Sequence, residues 1–312
     1  MSADSSTVAA GIRAGSAAAW IAAVRPRTLL VAIGPVLVGA AFAWQRSGAI
    51  DVGMFALILA SALLLQMLCN LQNDVGYTVR GGERSGTRTG LPRATALGWL
   101  SVEAVRAAIV VIALVAVVLG LVLAWQRGWP VIAIGAVSLA GAFAYMGGPR
   151  PIAYTPFGEL TVFVFFGLVA VLGTDWVLSG GIGAASVLAA CAVGALEAAA
   201  LAVNNHRDIA HDAQVGRRTF AVRFGAEASH RLYGALMLGP FVVSVLLAVT
   251  RQSAWLLLPF VVLPSAIRLK RDFAACAPGI AFNAVLFRTF VIGLQFSVLL
   301  AAGAIVSRVW SG

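Results

Sequence analysis

The sequence predicts an all-α membrane protein of about nine transmembrane helices, and three observations carry that expectation. Hydrophobic residues make up 61% of the 312 positions and charged residues only 11%, too few polar side chains to wet a soluble surface. Apolar runs near or above the ~18 residues that a bilayer requires recur along the whole chain. These runs lack the alternation of barrel strands, and a backbone in hydrocarbon must satisfy its own polar groups, which leaves a helical bundle.

The spans are expected at Leu29–Trp44, Val52–Cys69, Ala104–Trp125, Pro130–Tyr145, Phe157–Trp176, Ile182–Val203, Leu232–Val249, Trp255–Ile267 and Val285–Val306. The eighth is the shortest. Residues 1–312 read as one transmembrane domain, with 1–24 a flexible N-terminal tail. That tail does not show a charged region, an apolar stretch and a cleavage site in order, so no removable signal peptide is expected.

A formal net charge of +10 raises the possibility of nucleic acid, and the placement of the basic residues decides against it. With the N-terminus cytoplasmic, all 22 Lys and Arg fall on the cytoplasmic side except Arg46, Arg127, Arg251 and Arg308. That asymmetry is a topology signal, so the expected surroundings are a lipid bilayer and no nucleic-acid partner. Cys69, Cys191 and Cys276 are scattered without metal-ligand spacing and read as packing residues.

Polar chemistry concentrates in two connections, both expected on the cytoplasmic side. The first runs from Asn70 to Arg93; if its span continues as helix, Asn70, Asp74 and Tyr77 share a face with Asn73 beside them. The second runs from Asn204 to Gly225 and sets Asn204, Asp208 and Asp212 four apart. Magnesium takes hard oxygen ligands, commonly one or two carboxylates completed by substrate phosphates. Arg88 and Arg93 follow the first stripe and Arg217, Arg218 and Arg223 the second, and guanidinium binds phosphate oxygens bidentately. Together these residues describe a magnesium-assisted diphosphate cradle, with apolar walls to keep water from an allylic cation.

Other residues carry weaker signals. Glu197 lies within a span on the same face as Asn204, which would place it deeper in the same cavity. Glu159 begins a span, where a carboxylate favours the helix dipole. His206, His211 and His230 lack ligand spacing and read as loop residues, and Asp175 reads as a solvated acid at the opposite membrane face. A transporter would place its ionisable residues near the bilayer midplane, and this chain gathers them at one face. A phosphoalcohol transferase would gather several aspartates in one segment instead of two distant loops.

The paired polar loops on nine spans resemble the UbiA-type superfamily of intramembrane aromatic prenyltransferases. Within it, Trp20–Leu29 (WIAAVRPRTL), Tyr145–Pro149 (YMGGP) and Phe157–Thr174 (FGELTVFVFFGLVAVLGT) are similar to the dihydroxynaphthoate polyprenyltransferases of menaquinone synthesis. The resemblance implies a UbiA-type bundle with a cytoplasmic-side active site in a bacterial-type inner membrane, and Mg2+-dependent transfer from a polyprenyl diphosphate to an aromatic acceptor. It implies that Asp74, Asp208 and Asp212 are catalytic metal ligands and that Asn73, Asn205 and Arg217 bind diphosphate, to which the reading of the stripes adds Asn70, Arg88 and Arg93. Tyr145 and Glu197 would lie on the acceptor side.

One departure stands out. The family pattern N-D-x-x-D calls for an aspartate where this chain has Tyr77, a phenol that ionises only near ~10 and ligates magnesium poorly. Glu83, six residues on, would compensate as a metal ligand. A diverged member with another acceptor, or a relative that binds without turnover, therefore stays open as an alternative.

Overall fold

The computed structural model describes residues 11–82 and 89–311. The expected site residues Glu83 and Arg88 lie outside the described residues. Among the described residues the chain is helical throughout, and eight helices are long and apolar enough to cross a membrane. The chain is a multi-pass membrane protein.

The expected flexible tail does not extend to residue 24. Ala17–Val24 (α1) is helical, capped by the Ser16 hydroxyl, with Ala19 and Ala23 fully buried against the second span. Arg25 ends it in the left-handed conformation at φ 55°, and Pro26 opens a 3-10 turn, Pro26–Leu29, that feeds α2, Leu30–Ser47. α3, Val52–Val79, starts on an Asp51 cap and runs ten residues past the expected end of its span, carrying the first polar motif on helix. α4 (Val102–Arg127) and α5 (Trp129–Met146) follow as a hairpin.

α6 spans Gly158–Ser179 and is wound as π-helix through Phe163–Leu172. It packs on α7, Ala184–Arg207, through a close pair of glycines. A Cβ at Gly194 would lie 2.7 Å from the Phe163 carbonyl, and one at Gly167 would lie 2.6 Å from the Ala190 carbonyl. Small residues that let backbones approach are how helices associate where lipid is as apolar as the side chains. A six-residue helix α8, Ile209–Gln214, leads to α9, Phe220–Thr250, which is broken at Gly225 (φ 85°).

The eighth expected span is not one regular helix. It is a 3-10 segment, Ala254–Val262, that holds Pro259 inside it and passes into α10, Leu263–Ala275, with Pro264 in the first turn. α10 is amphipathic, burying Ala266, Leu269 and Phe273 while Arg268, Lys270 and Arg271 are exposed. The last helix is α11, Phe282–Ser311.

The interior has two main bodies. One joins α2, α6, α7, α9, α10 and α11; the other joins α1, α3, α4 and α5. A third cluster, with Ala43, Met54, Leu123, Val131 and Leu178, closes the end away from the polar motifs. At that end Asp175 is fully buried instead of solvated. It accepts from Arg46 at 2.7 Å and from Ser186 at 2.6 Å, tying the end of α2 to α6 and the start of α7.

Gly194→Val is expected to destabilise the fold by about 1–3 kcal/mol through overpacking, read as a lower Tm of the detergent-solubilised protein. Gly239→Ala, whose Cβ would meet no atom within 4 Å, should leave Tm unchanged or raise it.

Candidate active site

A cavity of about 590 Å3 runs between the two helical bodies, within the range of small-molecule sites. Its deep part is apolar, walled by Ile58, Leu121, Ile134, Phe165, Phe166 and Val169. Its mouth is polar, formed by Asn70, Asn73, Tyr77, Arg93, Asn204, Asn205, Arg207, Asp208 and Arg217. The two motifs, more than a hundred residues apart in sequence, thus face one opening.

α3 delivers the first motif. Asn70 is buried and donates to the Val24 carbonyl at 2.7 Å and to Thr28 at 2.8 Å, so it anchors the turn that follows α1. Asn73 lines the mouth. Asp74 is placed differently from its expected role. Its carboxylate accepts from the backbone N–H of Ala94 and of Thr95, both at 2.8 Å, and from the Thr95 hydroxyl at 2.5 Å. Fully buried there, it latches the segment carrying Arg93 onto α3 and does not line the cavity. Tyr77, one turn on, lines the mouth with two guanidiniums close to its ring, Arg93 at 4.3 Å and Arg217 at 5.0 Å from the centroid.

The second motif straddles a helix end. α7 stops at Arg207, Asp208 caps it, and Asp212 sits in α8 with its N–H donating to the Asp208 carbonyl at 2.7 Å. The i, i+4 relation between the two aspartates therefore survives the break. Arg207 forms a fork on Asp208 at 2.9 and 2.7 Å and is held by Asn283 at 2.8 Å. Asn205 donates to Glu159 at 2.8 Å, so Glu159 braces the motif from α6.

Arg217 joins the motifs. It donates to Asp212 at 2.6 Å, to the Ala153 carbonyl at 3.1 Å and to the Tyr77 hydroxyl. Burial works against its charge, yet Tyr77 and Asp212 beside it raise its pKa above the ordinary arginine value. Burial likewise pushes the Asp212 carboxyl above the usual carboxylate range, against the pull of Arg217.

Whether these residues suit a divalent cation is decided by donor chemistry and spare acceptors. Asn204, Asn205, Asp208 and Asp212 of the second motif offer oxygen donors, and Asp212 Oδ2 is buried without a hydrogen-bond partner among the described residues. That fits a hard cation completed by phosphate oxygens. The described residues hold no cluster of three His, Cys, Asp or Glu side chains, so protein carboxylates alone do not form a cage.

On the acceptor side, Tyr145 lines the cavity near the mouth, and Glu197 lines it deeper on α7, about 10 Å along the helix from Asn204 at 1.5 Å per residue. Glu197 is buried beside Gly34 and Gly293. The reading of His206 and His211 as loop residues is overturned: both are buried, and His206 packs among His230, Phe273 and Phe282. Sequence reasoning also passed over Arg25, Thr28 and Arg207, which line the mouth. Arg207 lay in plain view between Asn205 and Asp208, and Arg25 within the WIAAVRPRTL segment.

The profile of the UbiA prenyltransferase family matches residues 32–278. The 1,4-dihydroxy-2-naphthoate octaprenyltransferase of Mycobacterium leprae is 35% identical over 287 residues, 92% of this chain and 96% of its own length. That of Mycobacterium tuberculosis is 37% identical over 262 residues, 81% and 85% of the two chains. A solved UbiA homolog from Archaeoglobus fulgidus, bound to GPP and Mg2+, shares the fold at a TM-score of 0.65, covering 92% of this chain and 99% of that chain with 14% identity. With a match over most of its length and relatives above 30% identity across four-fifths of it or more, the chain belongs to the UbiA prenyltransferase family.

Proposed function

We propose that the protein transfers a polyprenyl chain from its diphosphate to 1,4-dihydroxy-2-naphthoate, with Mg2+, in a bacterial cytoplasmic membrane with its N-terminus in the cytoplasm. The observation that carries this reading is one cavity with a cationic, oxygen-rich mouth and an apolar interior. Such a cavity suits an amphiphile with a diphosphate at one end and hydrocarbon at the other. The names of the mycobacterial relatives supply the acceptor, and the excess of basic residues at the motif end supplies the orientation.

In this reading Asp208 and Asp212 hold the cation, with Asn205 at their side. When bound, Mg2+ would offset charge that develops on the departing diphosphate. Arg93 and Arg217 bind phosphate oxygens, and Asp74 positions Arg93 through the Ala94–Thr95 turn. The allylic C–O bond breaks with its electron pair going to diphosphate, while the apolar wall keeps water from the cation. The ring carbon bearing the carboxylate forms the new C–C bond, and loss of CO2 returns an electron pair to the ring. Tyr145 and Glu197 face the acceptor, with Glu197 accepting a hydrogen bond from a ring hydroxyl.

Membranes carrying the protein should form prenylated, decarboxylated product from an all-trans polyprenyl diphosphate and dihydroxynaphthoate, and a chelator should abolish it. Asp212→Ala is expected to lower kcat/KM by at least about 100-fold, on the scale of a lost site group; an unaltered rate would remove the cation role from Asp212. Glu197→Gln should raise KM for the acceptor about tenfold, the upper value of one ordinary hydrogen bond, with KM for the diphosphate unchanged. Equal effects on both substrates would count against an acceptor-side Glu197.

A further inference from the structure

We propose that Glu159 is a positioning residue for the divalent cation: it turns the amide of Asn205 so that the carbonyl oxygen, and not the nitrogen, faces the mouth. The inference rests on the prenyl-diphosphate reading and concerns which atom of Asn205 meets the ligand.

Glu159 is 6% exposed in the first turn of α6 and does not line the cavity. Among the described residues its Oε1 accepts from Asn205 Nδ2 at 2.8 Å, and its Oε2 is buried without a partner. A carboxyl group so placed at the edge of a bilayer is costly. Any acid in a first helical turn gains from the helix dipole; what is particular to Glu159 is the residue it holds. Gly158 lets the start of α6 come this close to α7, since a Cβ there would lie 3.2 Å from Leu201 Cδ2 and 3.8 Å from Asn205 Nδ2.

Asn205 is buried near the end of α7 and lines the mouth. A side-chain amide has a donor end and an acceptor end, and the neighbour decides which end faces it. Glu159 Oε1 accepts, and it does so equally when the carboxyl carries a proton on Oε2. The nitrogen of Asn205 is therefore committed to α6, and the planar amide directs its oxygen away from α6, where no described group donates to it. A carbonyl oxygen and a phosphate oxygen are both acceptors and do not bond to each other, whereas a carbonyl oxygen suits a hard cation. Asp208 is three residues on, shares that face of the helix end and also lines the mouth. Asn205 thus offers a neutral oxygen beside a carboxylate, and its contact with the diphosphate runs through the ion. An amide turned the other way would present N–H to the cation and repel it.

Cation affinity is the readout. Full-length protein in nanodiscs is loaded with geranyl thiolodiphosphate, a donor analogue slow to ionise, and titrated with Mn2+ followed by electron paramagnetic resonance. Asn205→Ala, and Glu159→Met, which fills similar space without an oxygen, should each weaken Mn2+ binding about tenfold, on the scale of a lost ligand or of the group that orients it. Because Glu159 acts through Asn205, the double variant should be weaker than Asn205→Ala by no more than about twofold. Glu159→Gln keeps an oxygen that accepts from Asn205 and should stay near the wild type. A Glu159→Met variant that lowers Tm but keeps its Mn2+ affinity overturns the inference, as does a Glu159→Met loss that persists in full on the Asn205→Ala background. Unaltered affinity in Asn205→Ala also overturns it, and decides the matter if Glu159→Met does not fold. The expected pattern without product from dihydroxynaphthoate rejects that acceptor and leaves the role of Glu159 standing. A wild type that binds no Mn2+ beside the analogue overturns the cation reading and the inference together.

Discussion

Arg217 is a charge buried at the mouth of an apolar bundle, and everything around it is arranged to keep it there. An isolated ion taken out of water costs several kcal/mol or more, so it persists only with partners on every side. Those partners come from three places: Asp212 in α8, Tyr77 at the end of α3, and the Ala153 carbonyl between α5 and α6. One guanidinium therefore fixes the relative position of both motifs and of the turn that closes the mouth between them. Its neighbour Arg93 is set in turn by Asp74, which anchors the Ala94–Thr95 segment to α3.

The bilayer explains why this chemistry is gathered at one end. Ionisable side chains at membrane depth are costly and tolerated only when paired or turned to a polar cavity. The far end obeys the same rule for structural purposes, with Asp175 neutralised by Arg46 and satisfied by Ser186. Between the two ends the cavity needs only apolar walls, and the π-wound stretch of α6 contributes Phe165, Phe166 and Val169 to them. A π segment widens the helix and is found often at functional sites. Here Gly167 and Gly194 let that widened helix still press on α7, which carries Glu197 above and the second motif at its end.

Hydropathy and the two polar loops were enough to determine an all-helical membrane bundle and eight of its spans, and to single out Asn73, Tyr77, Arg93, Asn205, Asp208 and Arg217, which line one cavity, because each is a local property. A run of apolar residues declares its burial in lipid, and carboxylates four apart declare a shared helical face. The direction in which a side chain is spent is not local. Nothing near Asp74 in sequence announces that its oxygens belong to Ala94 and Thr95, twenty residues on, nor that Tyr77 meets both Arg93 and an arginine 140 positions away. The interrupted span at Ala254–Ala275, the burial of Asp175 and the aromatic packing of His206 were likewise settled by what other helices place against them. Sequence determines which groups a membrane will tolerate and at which end; tertiary contact decides which of them remain to meet a ligand, because a hydrogen-bonding group already satisfied by the protein has little left to offer a substrate.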